Sequence, residues 1–123
     1  MRIGELERLT GVPRRLLRYY EEQGLLHPER DSSGYRVYTG EQVALVGRIR
    51  ELLAAGLNTE TIRGLLPCAP DAEPGFIPCS RSLEPLNANL MEMDAQIAAL
   101  VHRRERLAGL KDATEARLER QRA

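Results

Sequence analysis

The stretch from Val12 to Leu26, Val-Pro-Arg-Arg-Leu-Leu-Arg-Tyr-Tyr-Glu-Glu-Gln-Gly-Leu-Leu, constrains this chain more than any other. It predicts a short helix with Pro13 in its first turn, where a missing N–H costs nothing, and Gly24 closing it in the left-handed conformation. Leu16 and Leu17 fall about a turn from Tyr20, so one side of the helix can face a core. The other side carries Arg14, Arg15 and Arg18 with Tyr19. Arginine grips guanine edges or phosphates through two N–H groups at once, and tyrosine hydroxyls bond phosphates. Such a helix has the chemistry of a groove reader. A solvated basic face would carry the same three arginines, and the flanking segments decide between the two.

Upstream, Ile3, Leu6 and Leu9 recur at helical spacing until Thr10-Gly11. A short helix, a turn containing Gly11 and then the arginine helix make a helix-turn-helix pattern. Downstream, Leu25, Leu26 and Pro28 end the helix. In the segment from Arg30 to Tyr38, Ser33-Gly34 signals a turn, and Tyr35 and Val37 favour a strand alternating with Arg36 and Tyr38. This is a small hairpin, or wing, in which Tyr35 is expected to pack against the core or the strand. Thr39 to Gln42 matches a capping box and opens a helix carrying Val43, Leu45, Val46, Ile49, Leu52 and Leu53 as far as Gly56. Asn58 caps a further short helix through Ile62, Leu65 and Leu66. Four helices and a wing within residues 1–66 can share one compact core.

The character changes at Pro67. Pro67, Pro70, Pro74 and Pro78 interrupt any helix or sheet, so residues 67–81 are expected to form an irregular connector with Cys68 and Cys79 at its two ends. A helical pattern over residues 82–120 follows, with Pro85 tolerable in its first turn. Leu83, Leu86, Leu90, Met93, Ile97 and Leu100 alternate three and four apart, which is a heptad seam. Leu107 and Leu118 continue it, while Arg104, Lys111 and Thr114 interrupt it and Gly109 weakens the helix. One helix cannot bury such a stripe alone, so a partner helix is needed, most simply from a second copy of the chain. The basic run Arg103, Arg104, Arg106 would crowd its own copy in a parallel pair, whereas an antiparallel pair could set it near Glu92 and Asp94.

At 123 residues the chain allows one small domain plus an extension. The formal net charge of zero argues against non-specific coating of nucleic acid, though not against a locally basic face. Every basic residue but Lys111 is arginine, which genomic composition alone can explain. All four tyrosines lie between Tyr19 and Tyr38, a clustering that composition does not explain. Two cysteines without an apolar signal segment point to a reducing cytoplasm. No apolar run approaches the roughly 20 residues that span a bilayer. His27 and His102 are isolated and read as surface residues, so no histidine-rich metal site is expected.

Ile3-Gly-Glu-Leu6, Gly11-Val, Leu17-Arg-Tyr-Tyr-Glu21, Gly24-Leu-Leu, Gly34-Tyr-Arg-Val-Tyr38 and Gly56-Leu together resemble the MerR family of bacterial transcription regulators. The resemblance covers the first 66 residues and extends to the order of proline-rich loop and long helix. It implies a mainly α fold, a winged helix-turn-helix domain followed by a long dimerisation helix in an antiparallel coiled coil. It also implies a homodimer that binds pseudo-palindromic promoter DNA with an overlong spacer. Bending and untwisting that DNA then lets RNA polymerase engage. The family pattern puts Arg15 at base edges, and Arg18, Tyr19 and Tyr20 at bases or phosphates, although Tyr20 could equally plug the core beneath the helix. Arg36 and Tyr38 of the wing and Arg63 on the fourth helix fall at backbone-contacting positions. Pro13 departs from the serine or threonine cap of many members. Cys79 matches a position where mercury- and related metal-sensing members hold one thiolate, but the further cysteines after the long helix and the four-cysteine cluster of the iron–sulfur members are absent.

No cofactor is required by this reading, and the input signal stays open. Cys68 and Cys79 bracket the connector through which the reader and the dimer helix communicate, and Cys79 should lie near a helix N-terminus, which lowers a thiol's pKa. A structural buried cysteine, a two-thiolate site for a soft ion such as Cu(I) or Hg(II), and a reversible disulfide all fit. An enzyme is not expected, since no phosphate loop, paired-carboxylate motif or zinc set appears. An excisionase-like or architectural DNA binder shares the winged domain, but would not need so long a seam.

Overall fold

The computed structural model of the chain describes residues 1–69 and 73–123, so Pro70 of the expected connector lies outside the described residues. The elements run α1 (Ile3–Thr10), α2 (Arg14–Glu22), β1 (Glu29–Arg30), β2 (Arg36–Val37), α3 (Gly40–Ala54), α4 (Thr59–Leu65), a 3-10 turn (Leu66–Cys68) and α5 (Ser80–Arg122). Two compact units divide the chain, Met1–Pro85 and Leu86–Ala123. Among the described residues no helix is long and apolar enough to cross a membrane.

The first unit is built on local stop signals. Gly11, in the left-handed region at φ 72°, ends α1 by donating its N–H to the Glu7 carbonyl at 2.8 Å. Gly24 does the same for α2 in a Schellman arrangement, with Gly24 N–H on the Glu21 carbonyl at 3.0 Å and Leu25 N–H on the Tyr20 carbonyl at 2.9 Å. That geometry turns Leu25 and Leu26 straight into the core, where both are buried. Gln42 Oε1 accepts the Thr39 N–H at 2.8 Å at the start of α3, and Asn58 Oδ1 accepts the Thr61 N–H at 2.8 Å at the start of α4. Both follow the pattern expected of these caps.

The start of α2 is solved differently. Pro13 is the N-cap and has no side-chain oxygen to offer. The carboxylate of Glu7 on α1 takes that place, accepting the Arg14 backbone N–H on Oε2 at 2.6 Å. The helix-turn-helix is therefore closed by a residue of its own first helix. A negative charge at this end is also favoured by the peptide dipoles of α2.

The core comprises Leu6, Val12, Leu17, Leu25, Leu26, Val46, Ile49, Ile62 and Leu65 with two tyrosines, Tyr20 at 2% exposure and Tyr38 at 1%. Leu9 and Leu16, expected on apolar faces, are exposed. In α2 it is Leu17 and Tyr20 that face inward, and Leu16 lies one residue, about 100°, around the helix from Leu17. Tyr35, expected to pack, is 64% exposed, because strand alternation turns Tyr38 inward and leaves Tyr35 at the wing's tip. The wing is an antiparallel pair with Glu29 opposite Val37 and Arg30 opposite Arg36. Asp31 forms its turn, accepting the N–H groups of Ser33 and Tyr35 on Oδ1 at 2.9 and 3.1 Å. Tyr38 N–H reaches the Met1 carbonyl at 2.7 Å and so ties the wing to the start of α1.

The second unit is the remainder of α5. The helix spans 43 residues, on the order of 65 Å. It begins two residues before the expected Ser82, so Pro85 falls in its second turn, and it runs through Gly109 without a break. Leu90, Ile97, Leu100, Leu107 and Leu118 of the seam are exposed, as is Leu83 earlier in the helix.

Two glycines give opposite expectations. A side chain at Gly24 would be held at φ 74° with its Cβ 3.2 Å from Arg63 Cδ. Gly24→Ala is expected to lower stability by about 1–2 kcal/mol. Gly47, exposed in the middle of α3 with open space around it, should instead gain about 0.5–1 kcal/mol on replacement by alanine. Urea denaturation of both variants reads the sign directly, and a Gly24→Ala protein as stable as the parent would show that the α2 turn does not need the left-handed residue.

Candidate nucleic-acid interface

Leu17 and Tyr20 anchor α2, so the residues between and before them point outward. Arg14, Arg15, Arg18 and Tyr19 are all exposed. Arg14 is partly committed, because its Nη2 lies 3.4 Å from the same Glu7 that caps the helix. At the other end, Arg63 of α4 donates through Nη1 to the Gln23 carbonyl at 2.7 Å, and Thr59 Oγ1 meets Gln23 Oε1 at 3.1 Å. Helix α4 thus braces the C-terminal end of α2 while keeping the Arg63 side chain at the surface.

The wing meets α2 through charge. Arg36 Nε donates to Glu21 Oε2 at 2.7 Å, with both side chains partly exposed. Arg36 therefore stands beside α2. A cavity of about 180 Å³ lies here, lined by Arg2, Ile3, Arg18, Arg30, Gly34, Tyr35 and Arg36. Four arginines around one hollow, with Arg30 directly opposite Arg36 across the strands, is costly in an isolated protein. The charges become favourable when a polyanion enters.

Two of these arginines escaped the sequence reading. Arg30 would have been found by pairing the strands, which sets it opposite Arg36. Arg2 had no sequence signal, because its place depends on contacts across the fold. Its guanidinium lies 4.7 Å from the centre of the Tyr35 ring and its Nη2 is 2.7 Å from Asp31 Oδ2. Desolvation works against ionisation of Asp31, but the Tyr35 and Ser33 N–H groups and Arg2 outweigh it and hold its carboxyl below the usual range.

Of the candidate contact residues, Arg15, Arg18, Tyr19, Arg36 and Arg63 stand at or near the surface, and Arg18 and Arg36 come together. Tyr20 and Tyr38 are core residues. Burial pushes both phenol pKa values up, and the Tyr38 hydroxyl has no hydrogen-bond partner among the described residues. The expectation that Tyr38 touches a DNA backbone is corrected: the residue is 1% exposed and its hydroxyl is buried. For Tyr20 the core role prevails over the contact role.

The two cysteines do come together. Ile77 N–H donates to the Cys68 carbonyl at 2.8 Å, which lays the end of the connector against the 3-10 turn. Cys79 stands just before α5, its carbonyl accepting the Ser82 and Leu83 N–H groups at 3.1 and 2.9 Å. Buried Ser82 donates its hydroxyl to the Ile77 carbonyl at 2.7 Å and accepts the Cys79 N–H at 3.1 Å. The Ser82 backbone N–H and hydroxyl, the Arg81 N–H and the Cys68 thiol all favour charge on Cys79 and lower its pKa. Burial first, and then the neighbouring Cys79 thiol, push the Cys68 thiol up. No group of three or more His, Cys, Asp and Glu side chains suited to a metal ion occurs among the described residues.

Comparison with known proteins agrees with this arrangement. Residues 1–68 match the model of the MerR HTH family of regulatory proteins. The HTH-type transcriptional regulator ZntR of Escherichia coli (strain K12) is 34% identical over 113 residues, covering 91% of this chain and 79% of that protein. HmrR of Rhizobium leguminosarum bv. viciae, also an HTH-type transcriptional regulator, is 36% identical over 73 residues, 59% of this chain and 57% of its own length. The solved structure of the transcription regulator PbrR691 from Ralstonia metallidurans CH34, in complex with lead(II), superposes with a TM-score of 0.76 at 27% identity, covering 90% of this chain and 85% of that one. With the helix-turn-helix, the arginine-bearing α2, the wing and the long helix all in place, this chain belongs to the MerR family of DNA-binding transcription regulators.

Proposed function

We propose that the chain binds a pseudo-palindromic promoter as a homodimer and controls transcription by distorting the DNA so that RNA polymerase can engage. The observation that carries this is the meeting of Arg18 from α2 with Arg30 and Arg36 from the wing around one hollow. With α2 in a major groove, Arg15 reads base edges and Arg18 and Tyr19 contact bases or phosphates. Arg36, with Arg2 and Arg30 beside it, holds the adjoining backbone, and Arg63 a further phosphate. Residues 1–66 are the reader, 67–81 the connector and 82–120 the dimer helix. Two readers joined by one antiparallel coiled coil reach successive grooves at a fixed separation, so a longer spacer must bend or untwist. The exposed leucines of α5 support the dimer.

For the input we propose a signal directed at the connector thiols. A soft cation is one form such a signal can take, since two thiolates suit Cu(I) better than zinc, which takes four ligands in structural sites and three plus water in catalytic ones.

Arg15→Ala is expected to cost about 1–3 kcal/mol of operator affinity and to relax sequence preference, as loss of a base contact should. Arg36→Ala is expected to weaken binding to all sequences alike and to reduce the salt slope by about one unit. Fluorescence anisotropy over a salt series, on operator and scrambled duplexes, separates the two. Equal losses with unchanged specificity and salt slope would remove the assigned roles.

The dimer is tested on the whole chain. Sedimentation at micromolar concentration is expected to give a dimer, and Leu90→Lys with Ile97→Lys should yield monomers that bind the operator far more weakly, since each half-site then acts alone. A monomeric parent protein would refute the coiled-coil reading.

A further inference from the structure

We infer that Cys68 and Cys79 form a peroxide-responsive dithiol, oxidised within one chain to a disulfide that staples the end of the 3-10 turn to the start of α5. This rests on the reading of the connector as the input region and names the chemistry of that input. Three observations carry it. The Cys68 and Cys79 side chains lie near enough to act on each other's ionisation. The Ile77 N–H to Cys68 carbonyl bond at 2.8 Å and the Ser82 hydroxyl bond to Ile77 hold the two chain segments side by side. A cavity of about 210 Å³, lined by Cys68 and by Pro74, Phe76 and Ile77 among others, opens on the Cys68 side and leaves room for that side chain to move.

The two thiols differ in access: Cys79 is partly exposed, whereas Cys68 is buried. Cys79 is therefore attacked first and Cys68 resolves. The Cys79 sulfur takes one oxygen of hydrogen peroxide, the O–O bond breaks, and the departing hydroxide leaves as water with the thiol proton, giving a sulfenic acid. The Cys68 sulfur then attacks the Cys79 sulfur, the S–O bond breaks, and a second water leaves with the Cys68 proton. Two thiols lose two electrons in forming one disulfide, and one peroxide becomes two waters. A cation seated in line between two thiolates would have to part them by two metal–sulfur bonds. A disulfide needs no atom between the two sulfurs.

The consequence is mechanical. Cys68 closes the turn after α4, and Cys79 stands at the start of α5. A covalent bond here fixes how the chain leaves the reader, where the reduced protein holds it by hydrogen bonds.

The test uses the full chain, reduced and then exposed to excess hydrogen peroxide without metal. Mass spectrometry is expected to show the loss of two hydrogens per chain and of both titratable thiols, a Cys68–Cys79 crosslinked peptide, and full reversal by dithiothreitol. In Cys68→Ser, Cys79 should stop at a sulfenic acid that dimedone traps. In Cys79→Ser, Cys68 should stay reduced for far longer. Both thiols surviving peroxide overturns the proposal, as does a crosslink between chains. So does a protein that binds one Cu(I) per chain through both thiols while forming no disulfide, which would assign the pair to metal. Operator binding by the reduced protein is measured alongside. Its failure would count against the DNA-binding reading, whereas the sulfur chemistry is judged by mass alone.

Discussion

The hydrogen bond from the Arg14 backbone to Glu7 determines how the reading helix is presented. A helix-turn-helix works only if its second helix leaves the turn at a fixed angle, and the first free N–H groups of that helix must find acceptors. With proline at the cap, no local oxygen is available, and a carboxylate from α1 supplies one. The same Glu7 meets the Arg14 guanidinium. One side chain thus joins the two helices and moderates the most N-terminal charge of the arginine face. Leu17 and Tyr20 complete the fixing from below, and the Gly24 turn from the far end. Every outward-pointing residue of α2 inherits its direction from these few contacts.

Charge is arranged on the same principle. The chain is neutral, yet the wing, α2 and Arg2 ahead of α1 together place four arginines around one hollow while spending few carboxylates there. Glu21 binds Arg36 and Asp31 binds Arg2, and each pairing fixes a guanidinium's position as well as offsetting its charge. Exposed pairs of this kind add little stability. Their worth lies in orientation: an arginine held by one N–H to a neighbouring carboxylate loses less freedom when its other N–H groups meet a phosphate. Arg30 opposite Arg36 would be a poor choice for a strand pair selected for stability alone.

Much of this was legible in the sequence because it is local. Gly24, Asn58 and the return bond of Gln42 each act within a few residues, and the structure uses each as the spacing indicates. What was not legible depends on partners distant in the chain. Glu7 as the cap of α2 needs the turn to bring the two together. Tyr35 and Tyr38 have similar neighbours in sequence and opposite fates, because only the strand register decides which of them faces the core. Arg2 joins the basic hollow through Tyr35 and Asp31, roughly thirty positions away. The meeting of Cys68 with Cys79 likewise depends on the fold of the connector between them.

That connector is held in a different manner from the core, and the difference bears on where a signal can act. The reader's core is leucine, isoleucine, valine and tyrosine, whose burial is cooperative and is lost only by unfolding. The connector is fastened by separate polar contacts: Ile77 on Cys68, Ser82 on Ile77, and Arg48 of α3, which donates to the Gly75 carbonyl and stacks 5.1 Å from the centre of the Phe76 ring. The buried Nε of Arg48 has no hydrogen-bond partner among the described residues. Segments held this way open at lower free energy than the core. A chemical event at Cys68 and Cys79 therefore acts on contacts that are polar and separate, next to the first turn of α5. A switch of modest energy belongs there, because the rest of the unit would resist it.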